Sequence, residues 1–122
     1  MFRATKIPLI LAGLAVSATT GAAPADGVTG EKPFAHTVRP RQIAEECVKL
    51  AAGQSFAYSF DASAPLDFNI HFHRGNDVVY PVKFDNAQRR DDRFTAAVAQ
   101  DYCLMWTNAT AEAITVKGRL GP

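Results

Sequence analysis

The stretch that decides the fold runs Asp67-Phe68-Asn69-Ile70-His71-Phe72-His73-Arg74-Gly75-Asn76-Asp77-Val78-Val79-Tyr80. Phe68, Ile70 and Phe72 alternate with Asp67, Asn69, His71 and His73. A period of two sends successive side chains to opposite faces, so this is a strand with one apolar and one polar face. Arg74-Gly75-Asn76-Asp77 carries the turn residues of a hairpin. Val78 to Phe84 is the return strand, and Pro81 within it marks an edge or a bulge.

The same period extends outward in both directions. Upstream, Phe56, Tyr58 and Phe60 alternate with Ala57, Ser59 and Asp61, and Ala62-Ser63-Ala64-Pro65 reads as a connection between two strands. Phe34 to Val38 reads as a first short strand, ended before Pro40. Ile43, Cys47 and Leu50 are spaced four and three apart with Gly53 as a C-cap, so propensity alone predicts a helix over 43–52. Downstream, Arg89, Arg90 and Arg93 interleave with Asp91 and Asp92, and 85–93 reads as a solvated loop rather than an anion site. Phe94 to Val98 is a short strand or turn. Tyr102, Leu104 and Trp106 then face one way, Cys103 and Met105 the other. Thr107-Asn108-Ala109 makes a turn, and Ala113 to Leu120 is a last strand. The period-two placement of Phe56, Tyr58, Phe60, Phe68, Phe72 and Trp106 assigns these aromatic residues to the core. The expected class is all-β: an antiparallel β-sandwich of about seven to eight strands.

Composition sets the limits of function. With 122 residues there is room for one domain, and a hydrophobic fraction of 48% excludes a disordered chain. A formal charge of +1 gives no basic excess for phosphate, so nucleic acid is not expected as a partner. Arg3 and Lys6 precede the apolar run Ile7 to Ala18, and Ala23-Pro24-Ala25 matches a small-residue cleavage site. These are the three parts of a secretory signal peptide. The run is shorter than the ~20 residues that span a bilayer, so no membrane span is expected after cleavage. The organisation read from the sequence is therefore a signal peptide over 1–25, a flexible leader with the first short strand over 26–42, and a β-sandwich domain over 43–122. The exported chain is expected in the periplasm or outside the cell.

Cys47 and Cys103 are the only cysteines. An even count in an exported chain reads as a disulfide, and there is no Cys-x-x-Cys or surrounding His cluster to favour a metal instead.

With these residues in place, 47–120 resembles a GOLD (Golgi dynamics) domain, the lumenal β-sandwich of secretory-pathway cargo receptors. The likeness runs through Cys47, Leu50, Gly53, the aromatic strand ending at Phe60, Asp67-Phe68-Asn69-Ile70, Gly75 before Val78-Val79-Tyr80, Phe94, Tyr102-Cys103, Asn108 and Val116. The resemblance implies bridged first and last cysteines, and a strand rather than a helix around Glu46 to Leu50. It supplies no catalytic residues. Cargo receptors continue into a coiled coil and a membrane helix that this sequence lacks, so trafficking does not carry over. Small exported bacterial proteins of unassigned role are similar through Phe-Asn-Ile-His-x-His and Tyr-Cys-Leu-Met-Trp-Thr-Asn.

His71 and His73 carry the sharpest chemistry. Two apart on a strand, they share a face and are expected to be solvent-accessible, where two imidazoles can chelate Cu²⁺, Zn²⁺ or Ni²⁺. Asp67 or His36 would supply a third ligand. No Ser sits in a Gly-x-Ser-x-Gly setting, and Glu45 and Glu46 point to opposite faces of a strand, so no catalytic residues are assigned. Asn108-Ala109-Thr110 is a glycosylation sequon, relevant only in a eukaryotic lumen. The function expected is an exported non-catalytic binding or interaction module whose partner is a protein or small ligand in the envelope. The alternative is a periplasmic transition-metal-binding protein that holds Cu or Zn on His71, His73 and Asp67.

Overall fold

The computed structural model describes residues 27–122, together with Ala12, Gly13 and Ala15. The expected signal peptide and its cleavage point lie outside the described residues. Among those described, no helix is long and apolar enough to cross a membrane.

The chain is all-β. Six strands follow in order: β1 (Lys32–Val38), β2 (Ile43–Leu50), β3 (Ser55–Arg74), β4 (Asp77–Thr95), β5 (Gln100–Thr107) and β6 (Ile114–Gly121). They form one sheet, ordered β1-β6-β3-β5-β2, with β4 paired to β3 on its other side. This replaces the expected sandwich of seven to eight separate strands by a single sheet curled into a half-barrel. The strand count falls because β3 and β4 are long. β3 joins the two aromatic runs on either side of Ala62-Ser63-Ala64-Pro65 into 20 residues, and β4 absorbs the return strand, the charged stretch and Phe94.

β3 is the axis of the curl. Its first half, Ala57 to Ala62, pairs with β6, and its second half, Asp67 to His71, pairs with β5. Between them the β3–β4 ladder shifts register at Asp61/Leu66 and again at Leu66/Phe68. The expected connection is thus a bend inside one strand, not a loop. Opposite it on β4, Asn86 takes φ 55, and its backbone N–H donates to Asp67 Oδ1 at 3.2 Å. Asparagine enters this left-handed region at lower cost than other side-chain-bearing residues.

The bend folds the two halves face to face. Trp106 from β5 meets Phe34 of β1 at 5.0 Å between ring centroids, Phe60 at 5.5 Å and Phe68 at 5.6 Å. Trp106, Tyr102 and Leu104 are buried, as their shared face predicts. Phe34 and Val38 belong to the same core, and β1 pairs with β6 over its whole length. The folded unit therefore reaches back past β1, to Val28 packed on the core and the Gly27 N–H donating to the Lys49 carbonyl, rather than starting at residue 43.

β2 is a strand, as the resemblance implied and propensity did not. Val48 and Leu50 point inward, while Ile43 and Cys47 face solvent. The helical spacing of the three apolar residues is coincidental, since they do not share a face. Residues 85–93 are likewise strand and not loop. Their charges lie on the solvent side and the free edge, where Arg89 pairs with Asp61 and Arg93 reaches Ser55 Oγ at 3.1 Å. Arg90 turns inward instead and stacks its guanidinium 3.7 Å from the Phe84 ring centroid, a cation–π contact.

β1 and β2 end the sheet order and are not paired with each other. Glu46 bridges the seam between them, accepting from Lys32 Nζ at 3.2 Å and standing 2.9 Å from His36 Nε2.

Candidate functional site

Alternation along β3 holds as read. Phe68, Ile70 and Phe72 are buried in the core, and Asp67, Asn69, His71 and His73 occupy the outer face. The expectation of two accessible imidazoles fails at His71, which is only 4% exposed. Neighbouring strands cover it: the Tyr80 ring of β4 lies 5.9 Å away, and β2 approaches with Glu45. His73 is exposed at the strand end, its ring 5.2 Å from that of His71 and nearly perpendicular to it.

The His71 nitrogens have defined surroundings. Nδ1 lies 2.8 Å from Asn69 Oδ1. An amide oxygen only accepts, so in the neutral ring Nδ1 carries the hydrogen and Nε2 keeps its lone pair. Nε2 is directed at Glu45 Oε1, 3.6 Å away. Burial holds the His71 pKa below the ordinary histidine value; the Glu45 carboxylate opposes this shift, and His73 adds to it.

The other expected ligands do not converge on the pair. Asp67 is engaged with the Asn86 backbone. His36 sits on β1 at the seam, bound to Glu46. Among the described residues, the one group of three candidate ligand side chains with atoms within 4.8 Å of one another is Glu45, Cys47 and Cys103.

Cys47 and Cys103 form the expected disulfide, with Cα atoms 4.0 Å apart. They are directly opposed on β2 and β5, and His71 is opposed to Cys103 on the next strand. Cys47 is exposed and Cys103 partly so. The bridge therefore lies on the outer face beside His71, away from the aromatic core. In the sequence Glu45 is weighed only against Glu46, as a carboxylate pair, and not against Cys47 or His71. Once β2 is a strand, its two-residue spacing from Cys47 places it on the same face.

Tyr80 and Val78, 46% and 40% exposed, stand at the free edge of β4 beside His71 and His73. Asn108 is fully buried. Its amide nitrogen donates to the Val38 and Glu112 carbonyls at 2.9 and 2.7 Å, and its oxygen accepts from the Thr110 N–H. The sequon thus serves the turn, and its acceptor nitrogen is occupied in the folded chain. Tyr58 is buried with its phenol pKa raised, by desolvation first and by Asp92 second. The concavity beside it, lined by Glu31, Ser59, Asp91 and Arg119, is open to solvent and polar.

No protein-family model and no curated protein matches the sequence. The fold is similar to solved structures. PliG of Aeromonas hydrophila, a periplasmic lysozyme inhibitor of g-type lysozyme, superposes with a TM-score of 0.55 at 15% identity, covering 82% of this chain and 91% of PliG. A de novo designed double-stranded β-helix gives 0.45 at 15% identity over 73% and 97%. The SPBc2 prophage-derived protein YomS gives 0.45 at 13% over 78% and 97%. None of the three is described as a GOLD domain. The likeness to PliG concerns the fold.

Proposed function

We propose that this chain is an exported, non-catalytic protein-binding module, and that its partner is a cell-wall-cleaving enzyme of the lysozyme type. The observation that carries the reading is the shared fold with a periplasmic lysozyme inhibitor over most of both chains. Two features of the chain support it. The curled sheet is filled by aromatic side chains, so its concave side holds core and not substrate. The free edge of β4 instead offers Tyr80 and Val78 beside His73, and exposed aromatic residues are enriched where proteins meet. The disulfide and the sequence-level signal peptide agree with export. The GOLD-like resemblance adds a family without catalytic residues.

The test is inhibition. The purified chain added to g-type lysozyme should slow lysis of cell-wall substrate in a concentration-dependent way, and Tyr80→Ala should weaken that inhibition without changing the melting temperature. Undiminished lysis at a large excess of the chain rejects the lysozyme partner.

A second reading, Cu or Zn held by His71 and His73, rests on the 5.2 Å separation of the two rings. It predicts metal binding by the oxidised chain that is lost in His73→Ala. Calorimetric titration that finds no binding tighter than the millimolar range rejects it.

A further inference from the structure

On the outer face, three neighbouring strands bring four different groups together. Cys47 on β2 stands opposite Cys103 on β5, and Cys103 stands opposite His71 on β3. Glu45 shares the face, and its carboxylate lies with both sulfurs inside 4.8 Å. Glu45 Oε1 also approaches His71 Nε2 to 3.6 Å. The hydrogen bond from Nδ1 to Asn69 fixes the ring so that, when it is neutral, the Nε2 lone pair meets a carboxylate. Two electron-pair donors facing each other at this distance are arranged for a cation between them. A hydrogen bond on the far nitrogen is also how ligating histidines are oriented. In the oxidised chain the sulfurs are bonded to each other and offer no thiolate.

We propose that reduction of the Cys47–Cys103 disulfide opens a zinc site with Cys47 Sγ, Cys103 Sγ, His71 Nε2 and Glu45 Oε1 as its four ligands. A dithiol reductant supplies two electrons and two protons. The S–S bond breaks, two thiols form, and the dithiol leaves as its own disulfide. Zinc then displaces both thiol protons to solvent. Exposure of Cys47 gives the reductant access. Zn–S bonds of about 2.3 Å and Zn–N bonds of about 2.0 Å imply ligand–ligand distances of about 3.3–3.8 Å in a tetrahedral site. The His71–Glu45 separation already falls in that range; the sulfurs must part from each other, and His71, which stands outside the 4.8 Å group formed by Glu45 and the two sulfurs, must close on them. Two thiolates with an imidazole and a carboxylate suit Zn²⁺. This site shares only His71 with the histidine pair read from the sequence, and it does not depend on the protein-binding reading.

The experiment titrates the folded chain with Co²⁺, a spectroscopic stand-in for zinc, before and after reduction by a phosphine under anaerobic conditions. The reduced chain should develop a thiolate-to-cobalt charge-transfer band that Zn²⁺ abolishes, and the oxidised chain should not. Zinc affinity should rise about 100-fold or more on reduction. His71→Asn and Glu45→Gln should each weaken binding by about tenfold, the scale of losing one contributor to a metal site. His73→Ala should leave it unchanged. Equal affinity in the two redox states overturns the proposal. So does full binding by the His71→Asn/Glu45→Gln double variant, which would leave the thiols acting alone. Circular dichroism follows the fold throughout. A reduced chain that unfolds and is not restored by zinc overturns it as well.

Discussion

Trp106 is where the two halves of the curled sheet meet, with Phe34, Phe60 and Phe68 around it. Truncating it leaves a cavity that neither half can close, because each is held by its own ladder. Trp106→Ala should therefore cost ~3–5 kcal/mol, read by urea unfolding, and a variant with unchanged midpoint would mean that the halves do not pack through this ring. His71 makes a prediction of opposite character. Its folded pKa is depressed by burial, with Glu45 opposing and His73 reinforcing. In the window from about 6.5, the unfolded value, down to the lower folded value, the unfolded chain holds the extra proton. Stability should fall as pH drops through that window and level off below it. His71→Asn removes this contribution, so the wild-type minus variant difference in unfolding free energy should decline from pH 7.5 to 5. A flat difference would show that the imidazole is not held neutral.

Among the elements, β3 decides the shape. Its two aromatic runs were legible as strands because inward and outward residues alternate without exception. The bend was not legible as a bend, because Ala62 to Pro65 breaks the apolar period and carries a residue with no N–H, which looks like a loop. Its partners lie on other strands: Ala62 pairs with Val116 of β6, Ser63 Oγ accepts from the Thr115 N–H, and on β4 Asn86 takes a positive φ and donates its N–H to Asp67. Asn86→Gly should be nearly neutral, whereas Asn86→Val should cost about 1–2 kcal/mol through Cβ strain. Equal stability of the two variants would remove the left-handed residue from the account of the bend. β2 misled through composition: Ile43 and Cys47 fall at helical spacing but face water. The charged run of β4 misled because an edge strand with one solvated face has the composition of a loop. The candidate site was half legible. The pairing of Cys47 with Cys103 and the outward side of His71 came from count and period. The cover over His71 and the approach of Glu45 depend on which strands become neighbours, and that order is not a local property of the sequence.

At the scale of the molecule, the disulfide ties β2 to β5 across 56 residues of chain. In the chain-entropy view, closing such a loop contributes about 4 kcal/mol, against the 5–15 kcal/mol typical of a whole domain. Reduction should lower the urea midpoint by a corresponding amount and leave the chain folded at 25 °C, where zinc should recover part of the loss. A reduced chain as stable as the oxidised one would assign the bridge no structural role. The same outer face carries the bridge, His71 and, at its edge, Tyr80. A binding isotherm of the oxidised chain with g-type lysozyme, by calorimetry, for the wild type and Tyr80→Ala, tests whether this surface holds such a partner. Saturable binding is expected, with a Kd of about 1 µM or tighter, weakened about tenfold or more by the substitution, a loss of about 1.4 kcal/mol. Absence of binding, or binding that Tyr80→Ala leaves untouched, would contradict it.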